Sequence, residues 1–293
     1  PKVGVPKVGV PKVGVPKVVV CGCTRNSAHY IRENLNKLLE LGDLFSRVQV
    51  VIYENDSTDE TVRVLTQMEN EGKIKLITEK NITGTRTVIL AHGRNQLLNY
   101  VSNDTNKYDY MIMVDLDSVL DGVSLKRIVS AAFKHDTNDW DVLTGNSRNR
   151  YYDVWALRIN KKEWSSVHQS IWEKCLDYDC WDLISRRQQT SHDYAHLVQY
   201  HVGAYQRHIP VTHPLISIVS GYNGIGIYKC SVIRDCYYNG GNGGAAEPEF
   251  GRCEHVWFHR MIREKNKGRI FICPGLLVND QPEHLVKMPF KTI

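Results

Sequence analysis

The sequence predicts an α/β fold, a mostly parallel sheet with helices on both faces, and three observations carry that reading. Two short runs, at 48–53 and 110–114, are almost wholly apolar, as strands covered on both faces are. Between such runs apolar residues recur at helical spacing, so strand and helix alternate along the first half of the chain. The connections are short, as they are when parallel strands and their crossover helices build one sheet. The 293 residues suffice for one large α/β domain or two small ones, and 42% hydrophobic with 24% charged residues describes an ordinary globular chain.

The chain opens on a repeat, PKVGV at 1–5, 6–10 and 11–15 and PKVVV at 16–20. Proline at every fifth position prevents helix and discourages a central strand, so residues 1–15 read as an extended arm. In the fourth copy Val18, Val19 and Val20 run into CGCTRN and predict a strand over 17–22. Ser27 is a suitable N-cap for a helix with Ile31, Leu35, Leu38 and Leu39 on one face. The strand at 48–53 follows, and Ser57 with Glu60 has the spacing of a capping box opening a helix that reaches about residue 71. Ile74, Leu76 and Ile77 mark a short strand, residues 86–102 a third helix, and residues 110–114 a buried strand. Leu125, Ile128, Val129, Ala132 and Phe133 form one face of a fourth helix.

Past residue 140 the pattern loosens. It predicts strands near 141–145 and 152–158, an aromatic and His-rich stretch at 164–208, and a strand pair around 215–229. A glycine-rich loop at 239–244, a helix over about 254–265 and a strand at 269–273 follow. No linker separates the halves, so residues 16–293 read as a single domain with halves 16–140 and 141–293, preceded by the arm at 1–15.

Charge narrows the partners. Lys and Arg number 37 against 32 Asp and Glu, but the first 18 residues hold four lysines and no acid, leaving 33 basic against 32 acidic side chains. So balanced a body argues against nucleic-acid binding. No apolar run approaches the ~18 residues that span a bilayer, so neither a transmembrane segment nor an export signal is expected. The eight cysteines show no CxxC spacing, and Cys21, Cys23 and Cys273 sit in apolar surroundings, which points to a reducing compartment. Sequons at Asn55, Asn81 and Asn103 are the contrary sign.

In an open parallel sheet ligands bind beyond the C-terminal ends of the strands. There the first strand runs into Thr24, Arg25 and Asn26, the second into Glu54, Asn55 and Asp56, and the strand at 110–114 into Asp115, Leu116 and Asp117. Two carboxylates at alternate positions offer the hard oxygen ligands that Mg²⁺ or Mn²⁺ prefers. Glu54 is placed to accept hydrogen bonds from a ribose or base, and the guanidinium forks of Arg86 and Arg94 suit a pyrophosphate. His255 and His259 share a helix face, but no glutamate follows His255 as in an HExxH zinc site, so packing against aromatic neighbours is the expected role.

Three of these segments coincide with a known pattern. YENDSTDET (53–61) resembles the VDDGSTDGT segment of family 2-like glycosyltransferases, AHGRN (91–95) their ARN element, and YDYMIMVDLDSVL (108–120) their strand ending in DxD. Their order and spacing are similar to those of a GT-A nucleotide-sugar transferase. More narrowly, CGCTRNS, YENDSTDET, the RN helix, VDLDS and the late CEH are similar to the fungal capsule-associated, α-1,3-mannosyltransferase-type family and its viral relatives. The likeness is dense over about 17–120, thin over 120–215, and returns at about 217–275.

The resemblance implies a GT-A-like, Rossmann-type sheet with a smaller mixed acceptor-side half. It implies that Thr24, Arg25 and Glu54 line a nucleotide pocket, that Arg94, and in our reading Arg86, hold the diphosphate, and that Asp115 and Asp117 bind ribose and metal. His284 would be a third metal ligand, SGYNGIGIY (220–228) the acceptor-side loop, and Glu254 the acidic residue facing the acceptor, with His255 beside it in the catalytic pair. Asn55 and Glu60 depart from the family pattern, standing for an aspartate and a glycine. The implied activity is metal-dependent transfer of a hexosyl or pentosyl group from a UDP- or GDP-linked sugar to an oligosaccharide or glycoprotein acceptor, with Mn²⁺ or Mg²⁺ as cofactor. An inverting reaction needs a base, for which Glu254 is the candidate; a retaining one, which the mannosyltransferase resemblance would imply, needs none, and Glu254 would then position acceptor or donor. The expected setting is cytoplasmic, a host's cytoplasm for the viral relatives. The alternative is a catalytically degenerate nucleotide- or sugar-binding module.

Overall fold

A computed structural model of the chain describes residues 14–104, 107–187, 191–241 and 253–287. The first 13 residues of the repeat arm, and the glycine-rich loop beyond Gly241, lie outside the described residues. Its strands are β1 (Lys17–Thr24), β2 (Arg47–Asn55), β3 (Lys75–Glu79), β4 (Tyr110–Val114), β5 (Val142–Ser147), β6 (Ile216–Ile218), β7 (Ile225–Lys229) and β8 (Ile270–Val278). The α-helices are α1 (Ile31–Leu39), α2 (Thr61–Asn70), α3 (Arg86–Asn103), α4 (Leu125–Ala132), α5 (Ser166–Gln169), α6 (Cys180–Arg187), α7 (Ser191–His201) and α8 (Glu254–Asn266).

All eight strands join one sheet in the order β3-β2-β1-β4-β7-β5-β8-β6. β1, β2, β3 and β4 are mutually parallel, and so are β5 and β8. β7 runs antiparallel between β4 and β5 and carries the sheet from the first half of the chain into the second.

The strand alternation explains the two-sided core. On one face Val19, Cys21, Val51, Tyr53, Met111 and Met113 meet Ala91, Leu97 and Leu98 of α3 and Phe258 and Ile262 of α8. On the other, Val18, Val20, Val50, Ile52, Ile112 and Val114 meet the apolar stripes of α1, α2 and α4. Successive side chains point to opposite faces, so an unbroken apolar run is the pattern such a strand requires. α3 comes unusually close to the sheet: a Cβ on Gly93 would lie 2.5 Å from the Tyr53 ring.

Several expectations are corrected. Ser27 does not cap α1, which begins at Ile31; the Ser27 carbonyl instead accepts the N–H groups of Tyr30 and Ile31 in a preceding turn. The Ser57/Glu60 capping box does not form, because Ser57 N–H donates to Glu54 Oε1 at 2.8 Å and Asp59 Oδ1 accepts from Thr61 N–H at 3.0 Å. Residues 152–158 are not a strand. The N–H groups of Tyr152 and Asp153 donate to the Asn223 side chain, and only an isolated bridge joins Arg158 to Ser220. β6 and β7 do not pair with each other; β6 lies on β8, and β7 takes β4 and β5. The last strand continues past Pro274 and Gly275 to Val278, and a register shift between Thr144 and Asn146 of β5 absorbs the break. Among the described residues, no helix is long and apolar enough to cross a membrane.

Candidate active site

The parallel strands deliver Thr24, Asn55 and Asp115 to one edge of the sheet, and a cavity of about 560 Å³ opens there. Thr24, Arg25, Asn55, Arg86, Arg94, Asp115 and Asp117 are among the residues that line it. A second cavity, of about 220 Å³, adjoins it and shares Arg86, Leu90, Arg94, Asp115 and Asp117 as a common wall. Its other walls include Tyr152, Asp153, Trp155, Trp181, Tyr222, Glu254, His255 and His284. The structure thus brings together every site residue expected from the sequence except Glu54.

Glu54 is 1% exposed and lines neither cavity. Its Oε1 accepts from Ser57 N–H and its Oε2 from the Thr78 hydroxyl, each at 2.8 Å. Pairing of β2 with β3 sets Glu54 opposite Thr78, so the carboxylate braces the strand-end loop and leaves the ligand-facing position to Asn55. A nucleotide-binding role for Glu54 is therefore corrected to a structural one.

The AHGRN segment has a separate task for each of its last three residues. Gly93 permits the close approach to Tyr53, and Asn95 exchanges hydrogen bonds with Tyr238, its Oδ1 accepting from the N–H and its Nδ2 donating to the carbonyl. Arg94 is 4% exposed, donates to Glu254 Oε1 and to Asp115 Oδ1 at 3.2 Å, and lies 5.3 Å from the centroid of the Tyr222 ring. Burial works against its charge, but Glu254 and Asp115 more than offset that and hold it protonated. Arg86, by contrast, is exposed at the start of α3.

Asp115 directly follows β4, with its side chain about a third exposed. Desolvation pushes its carboxyl up to about 7; Arg94 opposes that shift, while Asp117, Asp153 and Glu254 add to it. Asp117 caps the short turn that follows, accepting from Val119 N–H at 3.0 Å. His284 stacks on Tyr152 with centroids 5.7 Å apart. It shares the second cavity with Asp115 and Asp117, yet among the described residues no three His, Cys, Asp or Glu side chains are gathered as a metal cluster. The expected ligand triad is not preassembled.

Glu254 opens α8, and its pairing with Arg94 commits the carboxylate expected to face the acceptor. His255 is 3% exposed, stacks on Tyr222 at 3.8 Å, and has no hydrogen-bond partner on either nitrogen. Burial, then Arg94, holds it neutral. His259 also packs inward, its Nδ1 accepting from Gly221 N–H and its Nε2 bonded to the Tyr228 hydroxyl.

Four residues at the site were not among its expected members. Asn223 has φ 56° and clamps residues 152–153; the Asn-Gly dipeptide in SGYNGIGIY was its signal, because that pair marks a left-handed turn. Asp153 had none. Trp155 and Trp181, whose centroids lie 4.8 Å apart, wall the second cavity together with Tyr152, whereas Tyr151 and Trp172 are buried in the core.

The profile described as Glycosyl transferase family 2 matches residues 19–195. The chain belongs to glycosyl transferase family 2. Its eight-stranded, mostly parallel sheet flanked by helices is the GT-A architecture. No curated protein sequence matches this family 2 chain significantly. Among solved structures, it is similar to the mannosyltransferase PcManGT from Pyrobaculum calidifontis in complex with GDP-Man and Mn²⁺, at 13% identity and TM-score 0.49, covering 96% of this chain and 59% of that one. It is also similar to residues 1–349 of S. aureus TarS, at 16% identity and TM-score 0.47, covering 92% and 61%. Glucosyl-3-phosphoglycerate synthase from Mycobacterium tuberculosis follows at 9% identity and TM-score 0.41, covering 90% and 69%. The family 2 chain thus spans about three fifths of the length of the first two.

Proposed function

We propose that the chain is a metal-dependent glycosyltransferase that moves a hexosyl or pentosyl group from a UDP- or GDP-linked sugar to a glycan or glycoprotein acceptor. The observation that carries this reading is the pair of adjoining cavities with a common wall of Arg86, Arg94, Asp115 and Asp117. A donor in the larger cavity places its diphosphate at that wall, and an acceptor in the smaller one reaches the anomeric carbon from the other side. The segments CGCTRNS, YENDSTDET, the RN helix, VDLDS and the late CEH support a closer kinship with the fungal capsule-associated, α-1,3-mannosyltransferase-type family and its viral relatives. The eight unpaired thiols suit the cytoplasmic setting that goes with this reading.

The side chains present fit a divalent cation. Asp115, Asp117, Asp153 and Glu254 bring four carboxylates to walls that hold two arginines. Asp115 and Asp117 would hold the ion, with His284 in reach of the same cavity. Two protein carboxylates, with phosphate oxygens and water completing the shell, suit Mg²⁺ or Mn²⁺. Bound there, the ion would neutralise charge developing on the diphosphate. Arg86 orients the diphosphate from the mouth of the cavity, Arg94 sets the position of Asp115, and Tyr222 donates to Asp115 Oδ1 at 3.3 Å.

A panel of UDP- and GDP-sugars tests the reading by thermal shift and donor hydrolysis, each with Mn²⁺, Mg²⁺ or chelator, on the wild-type chain and on Asp117→Ala. Stabilisation and turnover by one donor, dependent on metal and lost in the variant, is the expected result. Donor binding without turnover under any condition favours the degenerate binding module instead.

A further inference from the structure

The second cavity joins two kinds of wall. Where it adjoins the first it carries Arg86, Arg94, Asp115 and Asp117; elsewhere, among the described residues, no lysine or arginine lines it, and its acids there are Asp153 and Glu254. An anionic acceptor such as a phosphate ester would meet its own charge on that second wall. A neutral polyol would meet carboxylate oxygens that accept from its hydroxyls. The same wall holds the rings of Trp155 and Trp181, with centroids 4.8 Å apart and planes tilted by 48°. Both rings are only partly buried, unlike Trp140 and Trp172, which are enclosed by the core.

One ion pair ties the main chains of the two tryptophans together. Arg158 is 6% exposed; its Nη1 donates to the Trp155 carbonyl at 3.1 Å and its Nη2 to Asp179 Oδ1 at 3.0 Å. The same Oδ1 accepts the Trp181 N–H at 2.9 Å. The turn that carries Trp155 and the start of α6 are thereby fixed to each other. The aromatic wall stands assembled without a ligand, so a ligand that lies on it has little ordering to impose.

A sugar ring suits this mixture. One face of a pyranose is a patch of C–H bonds that lies on the electron-rich face of an aromatic ring, and its rim carries hydroxyls. At about 220 Å³ the cavity is smaller than the roughly 300–1,000 Å³ that drug-sized ligands occupy, which leaves room for a single ring. We infer that the acceptor enters this cavity as a neutral pyranose stacked on Trp155 and Trp181, so that the chain extends an existing saccharide and does not glycosylate a serine, a threonine or a phosphate. This rests on the transferase reading above, because the cavity is an acceptor site only if a donor occupies its neighbour.

The test uses the full chain and titrates in the methyl pyranosides of mannose, glucose, galactose and xylose, with sorbitol, glycerol 1-phosphate and a peptide bearing serine and threonine beside them. Calorimetry and saturation-transfer NMR read the binding, with UDP or GDP present. A pyranoside is expected to bind, with saturation strongest on the C–H protons of one ring face, and to yield a disaccharide when the nucleotide sugar replaces the nucleotide. Trp155→Leu and Trp181→Leu fill part of the space without an aromatic face, and each is expected to weaken that binding about tenfold or more. Trp181→Phe restores most of it, and a cooperative melt shows that each variant is folded. Pyranosides that bind no better than sorbitol, a preference for the phosphate ester or the peptide, or an affinity unchanged in both leucine variants overturns the inference, and donor binding in the same chain leaves the transferase reading standing. A wild-type chain that binds no nucleotide sugar defeats that reading and the acceptor assignment with it, whether or not pyranosides bind.

Discussion

Arg94 and Glu254 form a buried ion pair between residues 160 positions apart, and the same guanidinium reaches Asp115 Oδ1 at 3.2 Å. One side chain from α3 thereby ties the start of α8 to the end of β4, at the wall shared by the two cavities. Side-chain exposures of 4% and 6% leave little water to screen the pair.

Removing one member of such a pair strands the other. Arg94→Met is expected to cost about 3–5 kcal/mol, because Glu254 loses its counter-charge in a buried site. Urea unfolding measures it. Arg94→Lys keeps the charge but not the fork that spans both carboxylates, so it is expected to recover part of the stability and little of the donor turnover.

Asp115 gives a pH signature. Its folded pKa of about 7 lies above the ordinary 3.8, so between those values the folded protein holds a proton that the unfolded chain has released. The contribution of this group to stability therefore falls as pH rises from about 4 to about 7. Stability measured against pH is expected to shift in favour of Asp115→Asn across that window. A cation held by Asp115, as proposed, would displace the same proton, so Mn²⁺ added at about pH 6 is expected to acidify a weakly buffered solution of the wild type more than one of the variant.

His259 acts in the opposite sense. Burial lowers its pKa from 6.5 to about 3, so the unfolded chain takes up a proton in that range while the folded protein refuses it. Its contribution is fully present above pH 6.5 and is lost as pH falls toward 3. His259→Gln is expected to make the acid-side fall in melting temperature shallower than in the wild type. An unchanged slope shows that His259 does not carry the acid response.

Gly93→Ala tests the close approach of α3. The added Cβ would meet two Tyr53 ring carbons at 2.5 and 2.6 Å and Cys23 Sγ at 3.2 Å, and Tyr53 is itself only 1% exposed. Overpacking of a full core costs about 1–3 kcal/mol, so the variant is expected to unfold at lower urea. Because Arg94 is the next residue, donor binding should weaken as well.

Much of the site was legible because its residues sit on local signals. Asp115 and Asp117 follow a run of five buried residues, Arg94 stands in a recognisable helix segment, and Thr24 closes the first strand. Glu54 shows where local reading fails. Its place at a strand end suggests a ligand, but the Thr78 hydroxyl on the neighbouring strand and the Ser57 N–H use both its oxygens. The turn at 152–158 failed for a related reason, since a side chain 70 residues away takes the main-chain donors that a strand partner would need.

By itself the sequence determined the alternation of β1 to β4 with α1 to α4, the two faces of the core and the acidic edge, because hydrophobic period and strand length are properties of contiguous residues. The tertiary structure alone decided the insertion of β7 between β4 and β5, the pairing of Arg94 with Glu254 and the clamp of Asn223 on Asp153. Each depends on residues 70 or more positions apart meeting in a buried space, where the partner a charge or a hydrogen-bond donor finds is set by packing.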